Sequence, residues 1–212
     1  MEASLLKLRK LFLPIVGGII LGLIGIGTIK IFAPEDVRAD ATSTVGVTAT
    51  VESWLTFSVS PTSVSLSPAL VDSTGTPHIG SSTVITLTLG TNNTGGWSIS
   101  IQGANNGLYS TNASYLISTV SGTSTLSAGT DGYGANATAT YAGVSIGNYY
   151  DYYGSDTVGE IASSTSHTLA SKNSPNSQED VVDMKIKAAA QVTTPSATDY
   201  SDTITLTAIP TP

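Results

Sequence analysis

Ile85-Thr86-Leu87-Thr88-Leu89-Gly90-Thr91-Asn92-Asn93-Thr94-Gly95-Gly96-Trp97-Ser98-Ile99-Ser100-Ile101 is the stretch whose reading decides the fold. Ile85, Leu87 and Leu89 alternate with threonines, and Trp97, Ile99 and Ile101 alternate with serines. A period of two puts the apolar set of each run on one face of a half-wet sheet, with β-branched polar residues on the other. Residues 90–96 between them are Gly, Asn and Thr, which suit a turn with positive φ. The pattern predicts a β-hairpin over 83–102.

The same period extends in both directions. Upstream, Val45, Val47, Ala49 and Val51 alternate with Gly46, Thr48 and Thr50, then Leu55, Phe57 and Val59 repeat it, and Val64 and Leu66 follow Pro61. Downstream, Val182, Met184, Ile186 and Ala188 alternate with Asp183, Lys185 and Lys187; residues 195–199 then lead into Tyr200, Ile204, Leu206 and Ala208, a second hairpin-like pair. Between them, 115–120, 137–145 and 166–169 are strand-like pieces among Gly, Asn, Ser and Thr. No stretch after residue 45 sustains a 3.6-residue apolar period. The expected fold is all-β, an antiparallel β-sandwich of immunoglobulin-like or jelly-roll-like type over residues 45–212. Two small sandwiches divided near 122–132 are the alternative organisation.

The first forty residues have a different character. Lys7, Arg9 and Lys10 precede an uncharged, mostly aliphatic run at 11–29. A cationic start before an apolar helix orients the following chain outward. The run exceeds an ordinary signal-peptide core and approaches the roughly 20 residues that span a bilayer. Residues 1–39 therefore read as a signal peptide or signal anchor, followed by a short linker at 40–44. Ile31-Phe32-Ala33 ends against Pro34, which hinders a peptidase, whereas Val37-Arg38-Ala39 precedes Asp40, so cleavage is expected between Ala39 and Asp40. If uncut, residues 11–29 are the membrane contact, and Gly18 and Gly22 have the spacing that lets two membrane helices approach. The expected location is secreted or cell-surface, anchored by the N-terminal helix if the leader stays.

The chain has no cysteine, which excludes disulfides, thiolate metal sites and a cysteine nucleophile. After residue 39, Lys172, Lys185 and Lys187 stand against twelve Asp and Glu, so the surface repels nucleic acid and anionic lipid.

Two stretches, Thr91-Asn92-Asn93-Thr94-Gly95-Gly96-Trp97-Ser98-Ile99-Ser100 and Tyr200-Ser201-Asp202-Thr203-Ile204-Thr205-Leu206-Thr207-Ala208-Ile209-Pro210, resemble the two ends of the WxL-type surface domains of bacteria. They are also similar to Cys-poor β-sandwich proteins exported by ultra-small uncultured bacteria. In the WxL family each end carries a Trp-x-Leu strand and the domain associates with the cell wall. Here Trp97-Ser98-Ile99 keeps the tryptophan and replaces the leucine, and Leu206-Thr207-Ala208 has no tryptophan. The resemblance implies a cell-envelope role. Trp97 itself reads either as a core aromatic after a glycine turn or as a ligand platform.

Tyr149, Tyr150, Tyr152 and Tyr153 flank Asp151. Adjacent aromatics at 149–150 and 152–153 cannot all face one core, so the cluster is a candidate binding surface for a sugar or a partner protein. Gly143-Val144-Ser145-Ile146-Gly147 matches the G-x-S-x-G pattern, and Asp156 or Glu160 followed by His167 gives a serine-hydrolase order. No helical pattern follows Ser145, which argues against a nucleophile elbow. His78 and His167 lack metal-ligand spacing, and Asp131, Asp151 and Asp156 lack a calcium-loop pattern, so no metal and no cofactor is expected. Asn92, Asn112 and Asn136 open Asn-x-Ser/Thr sequons.

The expected function is non-enzymatic: an exported structural or adhesive cell-surface module. Its partners are a cell-envelope component, a glycan, or copies of itself in a fibre or layer. The strands at 45–51 and 200–208 lie at the chain ends, where a neighbouring molecule can complete a sheet edge. A carbohydrate-binding module using Trp97 and the tyrosines is the main alternative, and a serine hydrolase at Ser145 the remote one.

Overall fold

The computed structural model of the chain describes residues 46–176 and 178–212, and every regular element among them is a β-strand. The leader, the bond between Ala39 and Asp40 and the 40–44 linker lie outside those residues. Among the described residues no helix is long and apolar enough to cross a membrane. The strands are β1 (Leu55–Ser60), β2 (Ile79–Ser81), β3 (Ile85–Thr91), β4 (Trp97–Gly103), β5 (Gly107–Ser110), β6 (Tyr115–Ser118) and β7 (Thr123–Thr125). They continue with β8 (Gly132–Ala139), β9 (Val144–Ile146), β10 (Thr157–Gly159), β11 (His167–Lys172), β12 (Asp180–Ala189) and β13 (Ile204–Pro210).

One sheet runs in the order β1, β3, β12, β8, β10, β7, with β2 beside β12; a second runs β13, β4, β11, β9; β5 and β6 form a separate ribbon. All these strand pairs are antiparallel. Leu87, Leu89, Val182 and Met184 from the first sheet and Ile99, Ile101 and Leu169 from the second belong to one buried apolar cluster. The inner faces of the two sheets thus share a core, and Ala49–Pro212 forms one compact unit.

The expected hairpin over 83–102 is not formed. β3 and β4 exist where the alternation places them, but β3 lies between β1 and β12 while β4 lies between β13 and β11. Both sides of each strand are occupied, so residues 92–96 form an arch that carries the chain from one sheet to the other. Gly96 makes the bend: its φ is 79°, its N–H donates to the Asn93 carbonyl at 3.0 Å, and an added Cβ would collide with the Lys172 carbonyl. The second expected pair is also an arch, since β12 belongs to the first sheet and β13 to the second.

The strand expected at 45–51 is not formed either in its described part. Residues 46–51 enter no ladder, and Val47 and Val51 are 87% and 85% exposed. The reason is the length of the neighbour: pairing of β1 with β3 begins at Leu55 opposite Thr91, where β3 ends and the chain enters the arch. Val64 and Leu66 pack against the core without joining a strand.

Candidate functional site

Trp97 opens β4 and is fully buried. Its indole Nε1–H donates to Asp180 Oδ2 at 2.8 Å, and Lys172 Nζ donates to Asp180 Oδ1 at 2.7 Å. Trp97 and Lys172 face each other across β4 and β11, while Asp180 opens β12, so the trio ties one sheet to the other beside the arch. A ring with no exposed face cannot serve as a platform; Trp97 is a core residue whose polar edge is satisfied by a buried carboxylate.

The four tyrosines separate into different environments. Tyr150 is fully buried and donates its hydroxyl to the Glu160 carbonyl at 2.6 Å; burial, then the Glu160 carboxylate and Tyr149, push its phenol up. Tyr150 therefore leaves the candidate binding set along with Trp97. Tyr153 lies beneath Lys185, whose Nζ is 5.4 Å from the ring centroid, and burial followed by the Asp183 charge raises its phenol. Tyr149 and Tyr152 are exposed. The ring of Tyr149 meets His167 edge-on at 5.1 Å, and these two with Gly147, Asn148 and Thr168 line a shallow hollow of about 390 Å³. His167 Nε2 is 3.8 Å from Glu160 Oε2.

Ser145 is exposed in the middle of β9, an outer strand of an antiparallel sheet, not at a strand-to-helix turn. It faces Ser171 on β11, whereas His167 is four positions further along that strand, a distance of about 13 Å at strand rise. The geometry does not assemble a triad there. Asp156 is engaged by Lys187 at 2.8 Å, and Asp131 accepts from Tyr115, Gln191 and Thr194. Among the described residues no three His, Cys, Asp or Glu side chains cluster closely enough to hold a metal ion. Asn136 is buried, with Nδ2 within 3.0–3.2 Å of the carbonyls of Tyr152, Ser155 and Thr157, so that sequon offers no surface attachment point.

The outer strands give the most distinctive surface. β1 ends the first sheet, β13 ends the second, and the two lie close together on one side of the unit. Their inward residues, Leu55, Phe57 and Val59 on β1 and Ile204, Leu206 and Ala208 on β13, pack against the core yet stay half-exposed. The equivalent residues one strand inward, Leu87, Leu89, Ile99 and Ile101, are wholly covered. Neither Leu55-Thr56-Phe57-Ser58-Val59-Ser60 nor Ile204-Thr205-Leu206-Thr207-Ala208-Ile209-Pro210 contains a charge. An uncharged apolar edge is an open template for another strand.

Trp54, which carries no role in the sequence reading, and Asn92, read there only as a turn residue and sequon, hold the chain entering this seam. Asn92 Oδ1 accepts from the Trp54 N–H at 2.8 Å, its Nδ2 donates to the Glu52 carbonyl at 2.8 Å, and Thr91 Oγ1 donates to the Trp54 carbonyl at 2.7 Å. The available signal was a tryptophan just before an alternating run, with an Asn in the arch able to imitate a ladder partner. No family model, curated protein or solved structure matches this chain.

Proposed function

We propose that the chain is a non-enzymatic protein exported to the cell surface, a structural or adhesive β-sandwich similar to WxL-like surface domains that assembles through its edge strands. Two antiparallel sheets around one core support a sandwich of immunoglobulin-like or jelly-roll-like type. The cationic and apolar pattern of residues 7–39 supports export. The observation that carries assembly is the seam of β1 and β13, two uncharged outer strands with half-exposed apolar rows. Fractionation of the host, N-terminal sequencing of the protein and electron microscopy of the cell surface test the reading together. The expected result is an envelope or medium location, a chain beginning at Asp40 or retaining its leader in the membrane, and ordered polymers. A cytoplasmic protein would overturn it.

The hollow at Tyr149 and His167 favours a second reading, a weak glycan-binding module. Its contact residues are Tyr149, which lines the hollow, and Tyr152, which is exposed outside that lining; Trp97 and Tyr150 are buried. A glycan pull-down in which Tyr149→Ala and Tyr152→Ala retain as much sugar as the parent chain would exclude it.

A further inference from the structure

We infer that residues 46–51 of one molecule form the strand missing from another, adding to the free edge of β1 and closing the seam against β13; this rests on the self-assembly reading above. Donor and acceptor are both on the same chain. The donor, Gly46-Val47-Thr48-Ala49-Thr50-Val51, is uncharged and rich in β-branched residues, alternates apolar with small polar residues over 47–51, and is exposed with no ladder partner among the described residues. The acceptor is equally specific. β1 is six residues long, the same as the donor, and its outer backbone groups face no strand among the described residues.

Laid beside β1 with Val47, Ala49 and Val51 inward, the donor extends the row of Leu55, Phe57 and Val59 and covers Leu206 and Ala208 across the seam. Thr48 and Thr50 then stand outward with Thr56 and Ser58, continuing the polar face. Of the other sheet ends, β13 is long enough to accept a strand and is the rival acceptor, whereas β7 and β9 are poor acceptors. β7 and β9 are three residues long, and β7 is exposed throughout. Within one chain, Asn92 and Thr91 hold Glu52 and Trp54 alongside the arch, and those hydrogen bonds oppose a three-residue turn at 52–54 that would fold the donor back on its own β1. One donor and one acceptor at different places on each molecule make a heterologous contact, which propagates head to tail instead of closing as a dimer.

The chain contains no cysteine, so introduced thiols report this contact alone. Thr48→Cys and Thr50→Cys place a thiol on the donor, Thr56→Cys and Ser58→Cys on β1, and Thr205→Cys and Thr207→Cys on β13. Full-length single-cysteine chains, purified from their host as it processes them, are mixed in pairs under mild oxidation. Covalent dimers are expected in donor-plus-β1 mixtures and not with either variant alone. Val47→Asp with Val51→Asp, at positions exposed in the monomer, should leave the melting temperature unchanged and raise the polymerisation threshold on the order of 100-fold. Polymers that persist in the double-aspartate chain, or that crosslink the donor to β13 and not to β1, overturn this inference while leaving self-assembly standing. A parent chain that forms no polymer on the cell surface or in solution overturns self-assembly itself, and the inference with it.

Discussion

Breaking the Trp97, Asp180 and Lys172 trio one charge at a time should reveal how the two sheets are held in register. Asp180 is 2% exposed and the Lys172 side chain 12%, so both charges are largely removed from water. Removing one member of such a pair leaves the other without compensation, a loss of about 3–5 kcal/mol for fully buried pairs. Asp180→Asn keeps an oxygen that can accept from Trp97 Nε1–H but turns an amide N–H toward the Lys172 ammonium; its expected cost is about 3 kcal/mol. Lys172→Met leaves the carboxylate one donor, Trp97, at an expected cost of about 2 kcal/mol. The double variant should cost no more than the worse single, a coupling of about 2 kcal/mol. In urea, with a slope of about 2 kcal/mol per molar, Asp180→Asn should lower the unfolding midpoint by about 1.5 M. The measurement is urea unfolding of the parent, both singles and the double, followed by circular dichroism. Single variants within about 0.5 kcal/mol of the parent, or a double equal to the sum of its singles, would refute the clamp.

Other perturbations test separate parts of the structure. Gly96→Ala forces a Cβ into the Lys172 carbonyl at a φ of 79° and should destabilise by at least about 2 kcal/mol, read as a lower melting temperature. Burial pushes the Asp131 carboxyl up, but hydrogen bonds from Tyr115, Gln191 and Thr194 outweigh it and hold the group below its usual range. Its contribution is present above the ordinary carboxylate pKa and lost as pH falls through the lowered value, so Asp131→Asn should flatten the acid side of a melting-temperature profile. Asp202 behaves oppositely: burial raises it, and the N–H groups of Asn105, Ala104 and Thr203 only partly offset this. Its contribution is full below the ordinary pKa and weakens as pH rises through the raised one, so Asp202→Asn should remove a decline in that window. Asn92→Ala removes two of the three hydrogen bonds holding residues 52–54, leaving only that from Thr91, and should increase iodide quenching of Trp54 while costing about 1 kcal/mol or less.

Strands were legible in this sequence where alternation met burial on one face. Ile85, Leu87 and Leu89, and Trp97, Ile99 and Ile101, lie in β3 and β4 for the reason their spacing implies. Partner choice was not legible. A hairpin and an arch both need two alternating runs around a flexible loop, and they differ only in whether the runs bond to each other or to strands far away in the chain. Here β4 bonds to residues 97–103's distant neighbours in β11 and β13, a non-local outcome that no window around residues 83–102 contains. The same blindness explains residues 46–51, whose pattern matches that of β1 but whose prospective neighbour has already turned away at Thr91. In the tyrosine cluster, spacing showed that the rings must diverge, but only the Glu160 carbonyl, brought in by β10, determines that Tyr150 points inward.

The scarcity of charge carries more structural information than its total. Only three lysines follow residue 39, and each has a defined contact: Lys172 with buried Asp180, Lys187 with Asp156 and the Ser155 carbonyl, and Lys185 over Tyr153. Lys172 and Lys187 are largely buried, so most of the domain's cationic charge is spent inside contacts and little is left to guard its edges. Natural sheets commonly place lysine on an exposed outer strand to repel unwanted pairing. β1 and β13 have none, although the chain uses lysine on β11 and β12. Lysine introduced at Thr56 or Ser58, outward on β1, should therefore leave the monomer's stability within about 0.5 kcal/mol of the parent. Lysine inward at Phe57 should destabilise the fold itself, because that position packs on the core. Two outward lysines that block polymers without changing the unfolding midpoint would separate the work of this edge from the work of the core. Polymers that tolerate both would mean that outward charge does not guard this edge, as Lys185 on β12, a strand paired on both sides, already tolerates its neighbours.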